Sequence, residues 1–138
     1  MSNDFDSIKH HFEGDRFATT NGMRLVELRS GYAKTSLTVE DGHLNSVGTV
    51  HGGAIFTLAD FAFGAAVKTG GKVAPLITSS VSFLKATRTG TLTAEATEVS
   101  RSRKISTCTV RVTNDAGELV ALFQGTAYVK DEPFPPGS

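Results

Sequence analysis

The chain has 138 residues, enough for one domain with its own core and too few for two. Apolar residues make up 39% and charged residues 20%, a folded rather than a disordered composition. Fourteen basic side chains balance fourteen acidic ones, which argues against broad binding to a nucleic-acid backbone.

The opening segment, MSNDFDSIKHHF, carries Asp4 and Asp6 and no continuous apolar stretch. No secretory signal is expected there, and a cytoplasmic setting is the default. Residues 3 to 12 suit a short helix with Phe5, Ile8 and Phe12 on one side. His10 and His11 then cap a surface helix. Met23 to Leu28 and Tyr32 to Val39 read as strands joined by a tight Ser30-Gly31 turn. A polar stretch, Glu40 to Val50, leads into the most apolar run, Ala54 to Val67, AIFTLADFAFGAAV. That run is shorter than the roughly 20 residues a bilayer span needs, and Asp60 interrupts it, so no membrane insertion is expected.

Beyond the run, four strands are expected at Val73 to Leu84, Thr91 to Val99, Ile105 to Thr113 and Leu119 to Val129. Gly90 and Asn114-Asp115-Ala116-Gly117 supply the turns. Pro133, Pro135 and Pro136 mark a mobile or extended tail. The order is two strands, one helix, four strands. A helix apolar on almost every side must be buried, and an antiparallel sheet of about six strands covers it best by curling around it. The fold class is therefore α+β.

Asp60 is the first candidate for chemistry, because a carboxylate inside an apolar helix is costly unless paired. Either it belongs to a functional site or a partner outside this segment satisfies it. Desolvation would make it a stronger base once ionised. The start of the helix, His51-Gly52-Gly53, is the second candidate. Free N–H groups there lie at the positive end of the helix dipole and suit a carbonyl that becomes negative. The same residues also read as a plain turn with His51 as a cap. Gly52 and Asp60 lie about 12 Å apart along one helix. If both touch one carbonyl, they must come from two copies of the chain, as a two-fold dimer would supply. Asn45, in the approach loop, could position a water or a carbonyl, and it reads equally as an ordinary loop asparagine.

Arg101, Arg103 and Lys104 form a basic turn that could hold phosphates or be solvated. The four histidines show no metal spacing, so no metal is expected. Cys108 sits in a strand pattern and reads as core.

The stretch Asn45-Ser-Val-Gly48-Thr-Val-His51-Gly52-Gly53-Ala-Ile-Phe-Thr-Leu58-Ala59-Asp60 resembles the signature of the PaaI-like hotdog-fold acyl-CoA thioesterases, N-x-x-G-x-x-H-G-G-x-x-x-x-L-x-D. Every fixed position is occupied. The resemblance implies a curled antiparallel sheet around one long helix over residues 21–130, preceded by a segment at 1–20 with a short helix and followed by a mobile tail at 131–138. It implies Asp60 as general base or nucleophile and Gly52 as the carbonyl-binding N–H from the opposite subunit. Asn45 and His51 would orient water and brace the loop, with Gly53 beside the substrate. Thr78 and Ser79 are the candidates for an assisting hydroxyl, and Arg101, Arg103 and Lys104 would meet coenzyme A. The partners implied are an acyl-CoA substrate and further copies of the chain, as a homodimer or a homotetramer built as a dimer of dimers, with no cofactor. Ala86 departs from the family, which often carries Pro there. A non-catalytic acyl-CoA-binding protein and a hotdog hydratase or dehydratase are the competing readings.

Overall fold

The computed structural model describes residues 4–136. Helix α1 (Asp4–Phe12) puts Ile8 and Phe12 into the core, at 2% and 8% exposed. A second short helix, α2 (Arg16–Thr20), was not expected from periodicity; the Asp15 carboxylate caps it, accepting the Ala18 N–H at 3.0 Å. Strands β1 (Met23–Arg29) and β2 (Tyr32–Thr38) form the expected hairpin. Gly31 closes it at φ +68°, a conformation that costs glycine nothing. Helix α3 (Gly52–Lys68) follows, then β3 (Leu76–Phe83), β4 (Thr91–Arg101), β5 (Ile105–Thr113) and β6 (Leu119–Tyr128).

The six strands make one antiparallel sheet in the order β1-β2-β4-β5-β6-β3, and α3 packs across its concave side. Period-two alternation drives this. Leu92, Ala94 and Ala96 on β4 and Cys108, Val110 and Val112 on β5 are fully buried against the helix. Ala59, Ala62, Ala65 and Ala66 give α3 a flat, small-residue face that lets the sheet come close. The buried Thr35 hydroxyl donates to the Leu58 carbonyl at 3.0 Å and ties β2 to α3. Cys108 is core as expected, and burial pushes its thiol up to about 12, out of the nucleophilic range. Among the described residues no helix is long and apolar enough to cross a membrane.

Two features differ from expectation. Strand β3 begins at Leu76 rather than Val73, because residues 73–75 bond to the C-terminal segment instead: Val73 N–H donates to Glu132 O at 2.9 Å and Lys130 N–H to Val73 O at 2.8 Å. That same pairing involves the tail expected to be mobile or extended. Phe134 is 8% exposed and its N–H donates to Gly71 O at 2.9 Å. Residues 137–138 of that tail, and residue 3 of the expected first helix, lie outside the described residues.

Strand β3 forms one edge of the sheet. Most of it is exposed, including Ile77 and Phe83, with Leu84 just beyond. An apolar edge strand with free backbone groups is a surface that natural proteins normally cover.

Candidate active site

The start of α3 is held by a network of local bonds. His51 is the N-cap: its Nδ1 accepts the Gly53 N–H at 2.8 Å, and its carbonyl accepts from Ala54 and Ile55. A Cβ on Gly53 would stand 3.0 Å from that nitrogen, so the cap needs glycine there. The His51 N–H donates to the His43 carbonyl at 2.8 Å. His43 is itself fixed. Its Nδ1 accepts the Glu40 N–H at 2.9 Å, so its Nε2 carries the proton and donates to Asn21 O at 2.6 Å. With Gly53 satisfied by His51, the Gly52 N–H is left without an acceptor among the described residues. The Phe83 ring of the edge strand lies against Gly52, where a Cβ would come within 3.3 Å of it.

Asn45 spends its amide on its own loop. Its Oδ1 accepts from Val47 and Thr49 at 3.1 and 3.0 Å, and its Nδ2 donates to Thr49 Oγ1 at 2.9 Å. Arg88 closes the loop from outside, reaching the carbonyls of Val47 and Gly48 at 3.4 and 3.3 Å. The Asn45 bonds all lie within the loop that leads to His51.

Asp60 stands two turns further along α3, half-buried and without a hydrogen bond or ion pair among the described residues. It faces a cavity of about 160 Å3 walled by Phe12, Phe61, Phe63 and Leu76, into which Asp15 and Lys68 also project. Burial pushes its carboxyl above the usual carboxylate range; the Lys68 ammonium pulls it down and Asp15 pushes it further up. A partnerless carboxylate with raised proton affinity beside a cavity is suited to proton transfer.

The remaining expected site residues do not join this cluster within one chain. Thr78 and Ser79 are exposed on edge strand β3, opposite Thr126 and Gly125. Arg101 is turned inward: its Nη2 donates to the Val67 carbonyl at 2.6 Å, at the C-terminal end of α3, and its Nε pairs with Glu98 at 2.9 Å. Lys104 pairs with Asp131 at 3.7 Å, its ammonium 5.6 Å from the Tyr128 ring centre. Arg103 is exposed. This basic turn thus sits about 22 Å along the helix from Gly52. The sequence reading singled out neither His43, which holds the His51 backbone, nor Lys68, which shares the Asp60 cavity. The spacing Asp60, Gly64, Lys68, one helical stripe, was the available signal for the second. Among the described residues no group of three or more His, Cys, Asp or Glu is placed to hold a metal.

The model of the thioesterase superfamily matches residues 47–121, a segment that contains both Gly52 and Asp60. A putative esterase of Archaeoglobus fulgidus is 41% identical over 128 residues, covering 92% of this chain and 83% of that protein. The acyl-coenzyme A thioesterase PaaI of Escherichia coli is 30% identical over 118 residues, covering 85% of this chain and 84% of that one. The solved E. coli PaaI structure superimposes with a TM-score of 0.90 over 95% of this chain and 96% of its own, at 27% identity. A Streptococcus mutans protein solved with acetyl-CoA bound aligns at a TM-score of 0.75 and 31% identity, covering 78% of this chain and 88% of that one.

Proposed function

The chain belongs to the thioesterase superfamily and is an acyl-CoA thioesterase with the hotdog fold, and we propose that it works at a site shared by two copies of itself. In this reading the thioester carbonyl oxygen accepts the Gly52 N–H of one subunit at the positive end of α3. Asp60 of the partner subunit takes a proton from water. The water oxygen attacks the carbonyl carbon, the C–S bond breaks, and the coenzyme A thiolate leaves and is protonated. The observation that carries this is Asp60 itself, a partnerless carboxylate on an apolar helix. Its cavity of about 160 Å3 has room for water, at about 30 Å3 per molecule, which hydrolysis requires whether Asp60 acts as base or as nucleophile.

The distance along α3 supports the shared site, since one chain cannot bring Gly52 and Asp60 to one carbonyl. The exposed edge strand β3 supports a dimer, because its apolar side chains continue onto Gly52 through Phe83. Pairing of two such dimers would complete a homotetramer. Coenzyme A phosphates would then meet Arg103 and Lys104, while Arg101 keeps the turn anchored to the helix. His51 and Asn45 hold the Gly52 N–H in place, Gly53 lies beside the acyl group, and Thr78 or Ser79 contributes a hydroxyl from the strand. A cytoplasmic setting suits its lone buried thiol.

The test is coenzyme A release from a panel of aryl and aliphatic acyl-CoAs by the wild type, Asp60→Ala and Asp60→Asn. Turnover should fall by at least about a thousandfold in both variants with the oligomer intact by sedimentation. Single turnover in 18O-water should place the label directly in the free acid. Near-full turnover without Asp60 would overturn the assignment, and label appearing first in Asp60 would make it the nucleophile. Acyl-CoA binding without turnover by the wild type would favour the non-catalytic reading.

A further inference from the structure

One charged side chain at the site has no role in the reaction as written. Lys68 ends the stripe Asp60, Gly64, Lys68 on α3, and its side chain is half-buried. It folds back along the helix over Gly64, where a Cβ would stand 3.5 Å from Nζ. Two aromatic rings hold it there: the ammonium is 5.5 Å from the Phe12 ring centre and 5.8 Å from that of Phe134. No carboxylate among the described residues lies within 4.0 Å of it. It projects into the Asp60 cavity on one side and, on the other, into a larger space of about 530 Å3 faced by His10, His11 and Phe134.

Burying a lysine head between phenyl rings is costly, and a lysine that served only packing would pair with a carboxylate or reach water. Here the ammonium lies over Gly64, one helical turn from Asp60, in a cavity walled by Phe12, Phe61, Phe63 and Leu76 and by one further charged side chain, Asp15. Burial lowers the proton affinity of Lys68, and Asp60 and Asp15 raise it. The charges that act on Asp60 are Lys68, which favours its ionised form, and Asp15, which opposes it; no strand of the sheet contributes one.

Resting on the thioesterase reading, we propose that Lys68 is a positioning residue for the reaction: held over Gly64 by Phe12 and Phe134, its ammonium is the counter-charge that lets Asp60 stand ionised in an apolar cavity. The aromatic clamp comes from α1 and from the C-terminal segment, so both ends of the chain contribute to the site. Gly64 is the space the device requires.

The experiment compares Lys68→Met, Lys68→Arg and Gly64→Leu with the wild type in two measurements. The first is the pH profile of kcat/KM on a thioester the wild type hydrolyses. The second is titration of the Asp60 carboxyl by 13C NMR, its resonance assigned as the one missing in Asp60→Asn. In Lys68→Met the acidic limb should move to higher pH, so the rate on that limb falls on the order of threefold to tenfold, a loss that shrinks as pH rises. Lys68→Arg should restore the limb. Gly64→Leu, which keeps the lysine and displaces its head, should move it as Lys68→Met does. The Asp60 carboxyl should titrate at higher pH in the same two variants. A loss uniform across pH, or an Asp60 titration unmoved in Lys68→Met and Gly64→Leu, would overturn the proposal. If the wild type released no coenzyme A, the thioesterase reading would fail, and the NMR titration would still decide what Lys68 does to Asp60.

Discussion

Asp60→Asn should make the protein more stable while removing its activity. Burial holds the Asp60 carboxyl above the ordinary range, with the Lys68 attraction a smaller opposing effect. A carboxyl whose folded-state proton affinity is raised destabilises the fold only when ionised. The cost is absent below the unfolded-state titration, grows as pH rises towards the folded-state one, and is constant above it. Leaving a buried polar group unpaired costs on the order of 1–3 kcal/mol and a charged one more, and the partial exposure of Asp60 holds its cost within that range. The Lys68 ammonium, which shares the cavity, offsets on the order of 1 kcal/mol of that. A net cost of about 1 kcal/mol remains at neutral pH, and the neutral amide should relieve most of it. For a chain of this size that corresponds to a rise in Tm of about 3–5 °C. The assay is thermal unfolding of both proteins at equal protomer concentration, at pH 7.5 and again near pH 4, beside a coenzyme A release assay. The gap should be present at pH 7.5 and close at low pH, where Asp60 is protonated in the wild type. A variant equally or less stable at pH 7.5 would refute the view that Asp60 is held at a cost to the fold.

Three further outcomes follow from the packing. His51→Ala removes the cap on α3 and should cost about 1 kcal/mol in denaturant unfolding, with kcat falling as the helix start frays. Gly125→Ala would put a Cβ 2.9 Å from the Phe63 and Phe123 rings and 3.0 Å from Leu76, and should destabilise by about 1–3 kcal/mol, with wild-type melting as the contrary result. Phe134→Ala removes a buried ring from the C-terminal segment and half of the clamp on Lys68; it should lower stability by about 2–4 kcal/mol, and an unchanged chemical-denaturation midpoint would mean the segment is not bound in solution.

The fold was legible where periodicity is strong and local. The alternation on β4 and the all-round apolar α3 each admit one interpretation, and a curled sheet follows once a buried helix must be wrapped; the strand order, with β3 at the edge beside β6, does not. What escaped the sequence was set by contacts between distant segments. Helix α2 is five residues long, too short for a periodic signal, and only the Asp15 cap marks it. The start of β3 is withheld by bonds to residues 130 and 132, and the same bonds tie down a proline-rich tail that composition alone reads as loose. Arg101 looked like part of a phosphate-binding turn because its partner, the Val67 carbonyl, lies 34 residues away.

The site divides along the same line. His51, Gly52 and Gly53 were readable because a helix start has fixed needs: one cap, one glycine that admits it, one N–H left over. Asp60 was readable because an unpaired carboxylate in such a helix demands a reason. Lys68 was not, since a lysine near a helix C-terminus ordinarily serves the dipole; only the rings of Phe12 and Phe134, brought from opposite ends of the chain, turn it back toward Asp60. The rigidity of α3 then constrains function. It fixes the free Gly52 N–H and the free Asp60 carboxylate too far apart to serve one carbonyl, so the groups that make the helix unusual are each incomplete within a single copy. In the proposed dimer, a two-fold partner laid along the β3 edge would resolve both deficits at once, and would do so twice.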